Sequence, residues 1–298
     1  MGNKEKLVLI DGSSYLYRAF YALPPLTNAK GEPTGAIYGF IRMIAKLMND
    51  LNPEYIAVAF DLPGETFRHK EYKEYKATRK ETPEDLVKQI PKLKELIKLW
   101  GIPIIEIPGY EADDIIATLA KKGKEKGFEV IIVTPDKDMM QLVEDDIYIL
   151  NPVTDVIYDR EKVKEKYGIY PEQFVDYLSM VGDTVDNIIG VHGVGPKTAA
   201  KLLNEFGNLE NILKNLDKLR PKLQEAFKEA MDRLDENKFL VTLKKDVPLD
   251  IDIEDLKKGK ANLLKLKQEF KELGFKTLLS EMDKKKKIEE KVEQKSLF

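Results

Sequence analysis

Three acidic side chains crowd one short stretch, Gly109-Tyr110-Glu111-Ala112-Asp113-Asp114, just before Ile115, Ile116, Leu119 and Ala120 fall at helical spacing. The dipole of a helix favours acids in its first turn, so Glu111, Asp113 and Asp114 alone fit an ordinary cap as well as a site. The rest of the chain adds more. Asp11, Asp61, Asp136 and Asp138 follow apolar runs, and Asp183 and Asp186 form a further pair. Carboxylates about 4 Å apart repel by roughly 4 kcal/mol at an effective dielectric of about 20. A gathering of them must hold protons or be neutralised by divalent cations. With no cysteine, and only His69 and His192 as imidazoles, the donors are oxygens, which favours Mg²⁺ or Mn²⁺ over zinc. The carboxylates exceed what one hydrated Mg²⁺ takes. Two ions about 4 Å apart, which activate water and stabilise the leaving oxygen, are the arrangement of phosphodiester-cutting enzymes, and it needs no side-chain base.

The elements that would position these acids are legible as apolar runs. Residues 6–10, 55–60, 103–107, 130–133 and 147–150 read as buried strands. Helices alternate with them, one from near Ser14 carrying Tyr15, Arg18, Phe20 and Tyr21, another over 36–49. This pattern predicts an α/β fold with a mostly parallel sheet flanked by helices. Ligand sites in such sheets lie outside the carboxyl ends of the strands, where Asp11, Asp61, the 111–114 cluster and Asp136 with Asp138 would all arrive. Acids are common in turns after strands, so it is their recurrence that favours a site.

Residues 64–80 hold six Lys/Arg against three Glu, in a chain whose net charge is -3. As a helix, this segment would align Arg68, Tyr72, Tyr75 and Arg79 on one stripe, with Lys73, Lys76 and Lys80 beside it. It has no Leu, Ile, Val or Met with which to dock on a core. A solvated loop is one reading. A surface that grips a single strand by phosphate contacts and base stacking is the other, with Lys76 and Arg79 offsetting charge at the scissile phosphate.

The organisation changes near residues 166–170, after which nearly everything reads helical. Gly190-Val191-His192-Gly193-Val194-Gly195-Pro196-Lys197 lacks the Gly-Lys step and preceding strand of a nucleotide-binding P-loop. It fits a helical hairpin whose Gly193 and Gly195 let backbone N–H groups approach a DNA phosphate, with Lys197 and Lys201 adding charge. A tight inter-helix turn is the plainer alternative. Residues 209–282 read as amphipathic helices completing a second core, and 284–298 as a charged linker ending in Gln294, Leu297 and Phe298.

The chain has 298 residues, 43% hydrophobic and 34% charged, with no apolar run near the roughly 18 residues of a membrane span. No signal peptide stands at its N-terminus, which leaves the cytoplasm as the default expectation.

These motifs closely resemble the 5′ nuclease (flap endonuclease) family, above all the N-terminal 5′-3′ exonuclease domain of bacterial DNA polymerase I. The resemblance runs from about residue 7 to residue 282. It rests on Asp11, Phe60-Asp61, Phe67-Arg68-His69 through Tyr75-Lys76 to Arg79, the 109–114 cluster, Thr134-Pro135-Asp136-Lys137-Asp138, Gly182-Asp183 with Asp186-Asn187, and Gly193-Val194-Gly195 with Lys197-Thr198-Ala199. It implies a PIN-like nuclease domain over 1–168 with a basic helical arch at about 64–82, and a helix-three-turn-helix subdomain over 169–283. It implies metal ligation by Asp11, Asp61, Glu111, Asp113, Asp114, Asp136, Asp138, Asp183 and Asp186. Nucleic-acid contacts are expected from Arg18, Arg68, Tyr72, Lys73, Tyr75, Gly193, Gly195, Lys197, Thr198 and Lys201. The expected cofactors are two Mg²⁺ or Mn²⁺ ions, with a monovalent cation at the hairpin. The expected partners of a monomeric enzyme are branched or nicked DNA with a 5′ single strand and RNA primers. A catalytically silent branched-DNA module and a PIN-like ribonuclease are the competing readings, and the glycine hairpin argues against the second. No polymerase follows in this chain, so a free-standing nuclease is expected. The tail resembles the Gln-x-x-Leu-Phe peptide that docks on the bacterial sliding clamp, through Gln294, Leu297 and Phe298.

Overall fold

A computed structural model describes residues 4–284. The α/β part runs β1 (Lys6–Asp11), α1 (Gly12–Ala22), α2 (Gly35–Leu51), β2 (Tyr55–Ala59), α3 (Phe67–Glu71), α4 (Glu84–Val87), α5 (Ile90–Leu99), β3 (Ile104–Ile105), α6 (Ala112–Glu125), β4 (Glu129–Val133), β5 (Ile147–Asn151) and β6 (Val156–Tyr158). The sheet order is β3-β2-β1-β4-β5-β6, parallel throughout except for the antiparallel edge strand β6. The five expected strands are all present, and β6 had no sequence signal.

The central strands are buried on both faces because they are apolar between their ends, at residues 7–10 of β1, throughout β2 and at residues 130–133 of β4. Leu7, Leu9, Ala57, Ala59, Val130 and Ile132 face one core with α6. Val8, Ile10, Ile56, Val58, Ile131 and Val133 face another with α1, α2 and α5. The connections from β1 and β4 diverge, so the strand order reverses between them, and Asp11 and Thr134 stand at the carboxyl side of that crevice.

The helical part comprises α7 (Arg160–Tyr167), α8 (Phe174–Val181), the hairpin β7 (Gly182–Asp183) and β8 (Ile188–Ile189), α9 (Pro196–Phe206), α10 (Leu209–Lys214) and α11 (Pro221–Val241). Its buried residues join the α6-side core rather than forming one of their own. Helix α12 (Leu263–Glu272) and the helical residues that follow Phe275 correct the expectation that residues 209–282 complete a second core. Leu266, Phe270, Phe275 and Leu278 instead pack against the sheet face that holds α2 and α5. Their spacing is amphipathic wherever they dock, so pattern alone could not assign a partner. Among the described residues, no helix is long and apolar enough to cross a membrane.

Candidate active site

Asp11 closes β1 and caps α1. Its Oδ1 accepts from the Ser14 N–H at 2.9 Å and its Oδ2 from the Thr134 hydroxyl at 2.8 Å, so the two central strands share one carboxylate. Asp61 follows β2. Its N–H donates to the Ser13 hydroxyl at 2.9 Å and its Oδ1 accepts from the Ala112 N–H, in the first turn of α6, at 2.8 Å. Asp136 follows β4, and its Oδ1 accepts from the Asp138 N–H at 2.8 Å. Together with Glu111 and Asp113 these side chains line one cleft of about 520 Å³, and Lys76 and Arg79 line it from the arch.

The electrostatics of the cleft are those of crowded acids. Burial pushes Asp11 up to about 6, aided by the charge of Asp61. Burial and then the charges of Asp11, Asp136 and Asp61 hold Asp113 well above the usual carboxylate range. Burial and Asp136 likewise push Asp138 up to about 7. Its Oδ1 is buried with no hydrogen-bond partner, although Lys137 Nζ lies 3.2 Å away. Lys137 also donates to Asp183 at 2.6 Å. Burial raises Asp183, but Lys137 and the Val185 and Asp186 N–H groups outweigh it and hold this carboxyl low. Among the described residues, no group of three or more His, Asp or Glu side chains is closed into a metal shell.

The arch segment departs from the expected helix. Only α3 is helical, and residues 73–78 fold as turns. The stripe of Arg68, Tyr72, Tyr75 and Arg79 is therefore not formed, which corrects the expected surface. Arg68 is 1% exposed and faces inward. It donates to Asp114 Oδ2 at 2.7 Å and Oδ1 at 2.8 Å, to Glu111 at 3.1 Å, and to the Leu240 and Thr242 carbonyls at 2.8 Å. Tyr75 is buried too, its hydroxyl 3.1 Å from Glu111 and 3.3 Å from Asp186. A segment without aliphatic side chains docks here by polar pairing, so neither residue presents a surface to nucleic acid. Asp114 is corrected with them: it is fully buried, also accepts from the Lys244 N–H at 2.8 Å, and does not line the cleft.

Lys76 donates to Glu111 Oε1 at 2.6 Å, and Arg79 to Asp186 Oδ1 at 2.5 Å. Burial opposes the charge on each, yet the facing carboxylates outweigh it and hold both groups above their ordinary values. Lys73 is exposed and Tyr72 half-buried, while Arg18 is half-buried on α1 and does not line the cleft. At the helical hairpin, Gly193 and Gly195 are exposed with nothing within 4 Å of a would-be Cβ. Pro196 opens α9, which carries Lys197, Thr198 and Lys201 on its first turns. Gln294, Leu297 and Phe298 lie outside the described residues. Sequence reasoning gave no individual site role to Thr134, Lys137, Tyr17 or Tyr21. The two tyrosines line the cleft, Tyr21 being 69% exposed, and their i,i+4 spacing beside Asp11 was the available signal.

Both parts of the chain match nuclease families. Residues 6–168 match "5'-3' exonuclease, N-terminal resolvase-like domain", and residues 169–264 match "5'-3' exonuclease, C-terminal SAM fold". A 5'-3' exonuclease of Aquifex aeolicus is 48% identical over 98% of this chain and 99% of its own length. DNA polymerase I of Bacillus subtilis is 44% identical over 95% of this chain, which spans only 33% of that protein. A solved structure of T5 5'-exonuclease with bound divalent metal ions (zinc) is 25% identical, covers 80% of this chain and 90% of the other, and superposes with a TM-score of 0.68. The chain belongs to the 5′-3′ exonuclease family. The likeness to T5 5'-exonuclease also bears out the PIN-like α/β fold.

Proposed function

We propose that this nuclease hydrolyses DNA phosphodiesters at 5′ flaps and nicks, and the RNA primers joined to them, with Mg²⁺ or Mn²⁺. The observation that carries the reading is the single cleft that Asp11, Asp61, Glu111, Asp113 and Asp136 share with Lys76 and Arg79. The donors fit a hard divalent cation: all are carboxylate oxygens, Asp113 is raised by burial and then by three like charges, and Asp138 Oδ1 is buried with the Lys137 ammonium 3.2 Å away. Asp11, Asp61, Glu111, Asp113 and Asp136, with Asp138, Asp183 and Asp186 at the margin, would hold two ions. Bound there, the metals would supply water activation and leaving-oxygen stabilisation. The divalent metal ions bound to T5 5'-exonuclease, a protein of similar fold, support metal use.

Lys76 and Arg79 face the acids from the arch and bind the scissile phosphate, offsetting the charge that develops on it. Tyr17 and Tyr21 give the 5′ strand an aromatic wall, with Lys73 on the outer arch. The amides at Gly193 and Gly195, with Lys197, Thr198 and Lys201, hold the duplex by its phosphates, and a monovalent cation joins them there. The test is a labelled 5′-flap duplex in Mg²⁺ and in EDTA. Cleavage near the junction in Mg²⁺ alone supports the reading; intact DNA in both rejects it.

We also infer that Gln294, Leu297 and Phe298 dock on the bacterial sliding clamp, two apolar side chains filling a groove and a polar one fixing their entry. A titration of purified clamp with the full chain and with a form ending at Gln294 tests this, and equal affinity would end it.

A further inference from the structure

Two non-glycine residues with left-handed backbones face each other where the arch meets the β7–β8 hairpin. Lys76 has φ 58° and Asn187 φ 59°. Side chains rarely tolerate this conformation, Asn being among the exceptions, and it persists where the surroundings impose it. Here each residue helps to hold the other. The Lys76 N–H donates to the Asp186 carbonyl at 3.0 Å, and Asn187 Nδ2 donates to the Glu74 carbonyl at 2.9 Å. These bonds run in opposite directions between the arch turn and the hairpin tip, and so fix the Lys76 backbone from both sides. From that backbone the Lys76 side chain reaches Glu111.

The other end of the hairpin is equally constrained. A Cβ on Gly182 would lie 2.4 Å from the Gly190 backbone, and Asn237 Nδ2 bridges the neck by donating to the Ser179 carbonyl at 3.0 Å and the Ile189 carbonyl at 2.9 Å. The chain passes straight from this neck into the Gly193 turn. A stiff hairpin thus connects the phosphate-facing turn with the arch.

We propose that Asn187 is a positioning residue for the cleavage step, presenting Lys76 to the cleft and tying the arch to the element that seats the duplex. The proposal rests on the reading of Lys76 given above. Asn187→Gly keeps the left-handed backbone and loses only the bond to Glu74, whereas Asn187→Asp keeps the side-chain shape and removes the donor.

The experiment compares single-turnover cleavage of a 5′-flap duplex in Mg²⁺ by the wild type, N187G, N187D, K76A and N187G/K76A. Flap affinity is measured in Ca²⁺ and Tm for each variant. Both Asn187 variants should cleave about tenfold slower with unchanged Kd and nearly unchanged Tm. The double variant should be no slower than K76A, because a residue that acts through Lys76 has nothing left to act through. A wild-type rate in N187G or N187D, a loss seen only in Kd, or the same fractional loss in the K76A background would each overturn the proposal. K76A at the wild-type rate would remove the reading beneath it as well.

Discussion

Lys76 Nζ lies 2.6 Å from Glu111 Oε1, so the arch touches the N-cap of the helix whose first turn carries Asp113 and Asp114. A cation held at that place acts on charge that develops at the scissile phosphate more than on the ground state. Lys76→Ala should therefore slow single-turnover cleavage by about a hundredfold while changing flap affinity only a few-fold. A variant with an unchanged rate and weakened binding would reverse this assignment.

Lys197 stands exposed on the first turn of α9, away from the cleft. Lys197→Ala should raise Kd for the duplex and lower the slope of log affinity against log salt by about one, with the rate at saturation unchanged. Salt titrations of the two proteins check this, and parallel slopes would contradict it.

Gly195 has φ -90°, a conformation open to any residue, and nothing within 4 Å of its would-be Cβ. The fold therefore does not require glycine there. Gly195→Ala should leave Tm unchanged, but a methyl between backbone and phosphate should weaken duplex binding about tenfold. Equal affinity would remove this turn from the DNA contacts.

Arg68 and Asp114 form a buried, two-pronged ion pair. Arg68→Met leaves an uncompensated carboxylate and should cost about 3 to 5 kcal/mol in urea unfolding. A cost under about 1 kcal/mol would mean that the pair holds little.

Asp11 stands at about 6 and Asp138 at about 7, and Asp113 well above the ordinary 3.8. At these groups the folded protein binds more protons than the unfolded chain, so the contribution of Asp11 and Asp138 to stability is full below about pH 4 and is lost as the pH rises through about 6 to 7. Divalent ions that ligate these groups must displace the protons. Calorimetric titration with Mg²⁺ in buffers of different ionisation enthalpy should show more proton release near about pH 6 than near about pH 8.5, where Asp11 and Asp138 are already ionised. No release at the lower pH would separate the raised carboxyls from the metal site.

The acids at strand ends were legible because period and position agreed: Asp11, Asp61 and Asp136 each follow an apolar run, and a parallel sheet brings such ends together. The arch was not legible in the same way. Arg68 and Tyr75 are basic and aromatic whether they face a nucleic acid or a buried carboxylate, and only the position of Asp114 and Glu111 decides between the two. Lys137 stood in a motif without a role of its own, because that role depends on Asp183, which is distant in sequence. The β7–β8 hairpin is held by backbone pairing and by Asn237, with no apolar alternation to announce it. Tyr21 was in view, yet its place on the cleft wall follows from how α1 lies across the sheet edge.

The proposed cleavage rests on the crowded acids of the cleft. Asp113→Asn keeps the side-chain shape and removes the charge that Asp11, Asp61 and Asp136 oppose. Single-turnover cleavage of a 5′-flap duplex in Mg²⁺ by this variant, beside its flap affinity in Ca²⁺, is the most direct measurement. The expected result is a rate at least about a thousandfold below wild type with affinity within a few-fold. A rate within a few-fold of wild type would contradict it.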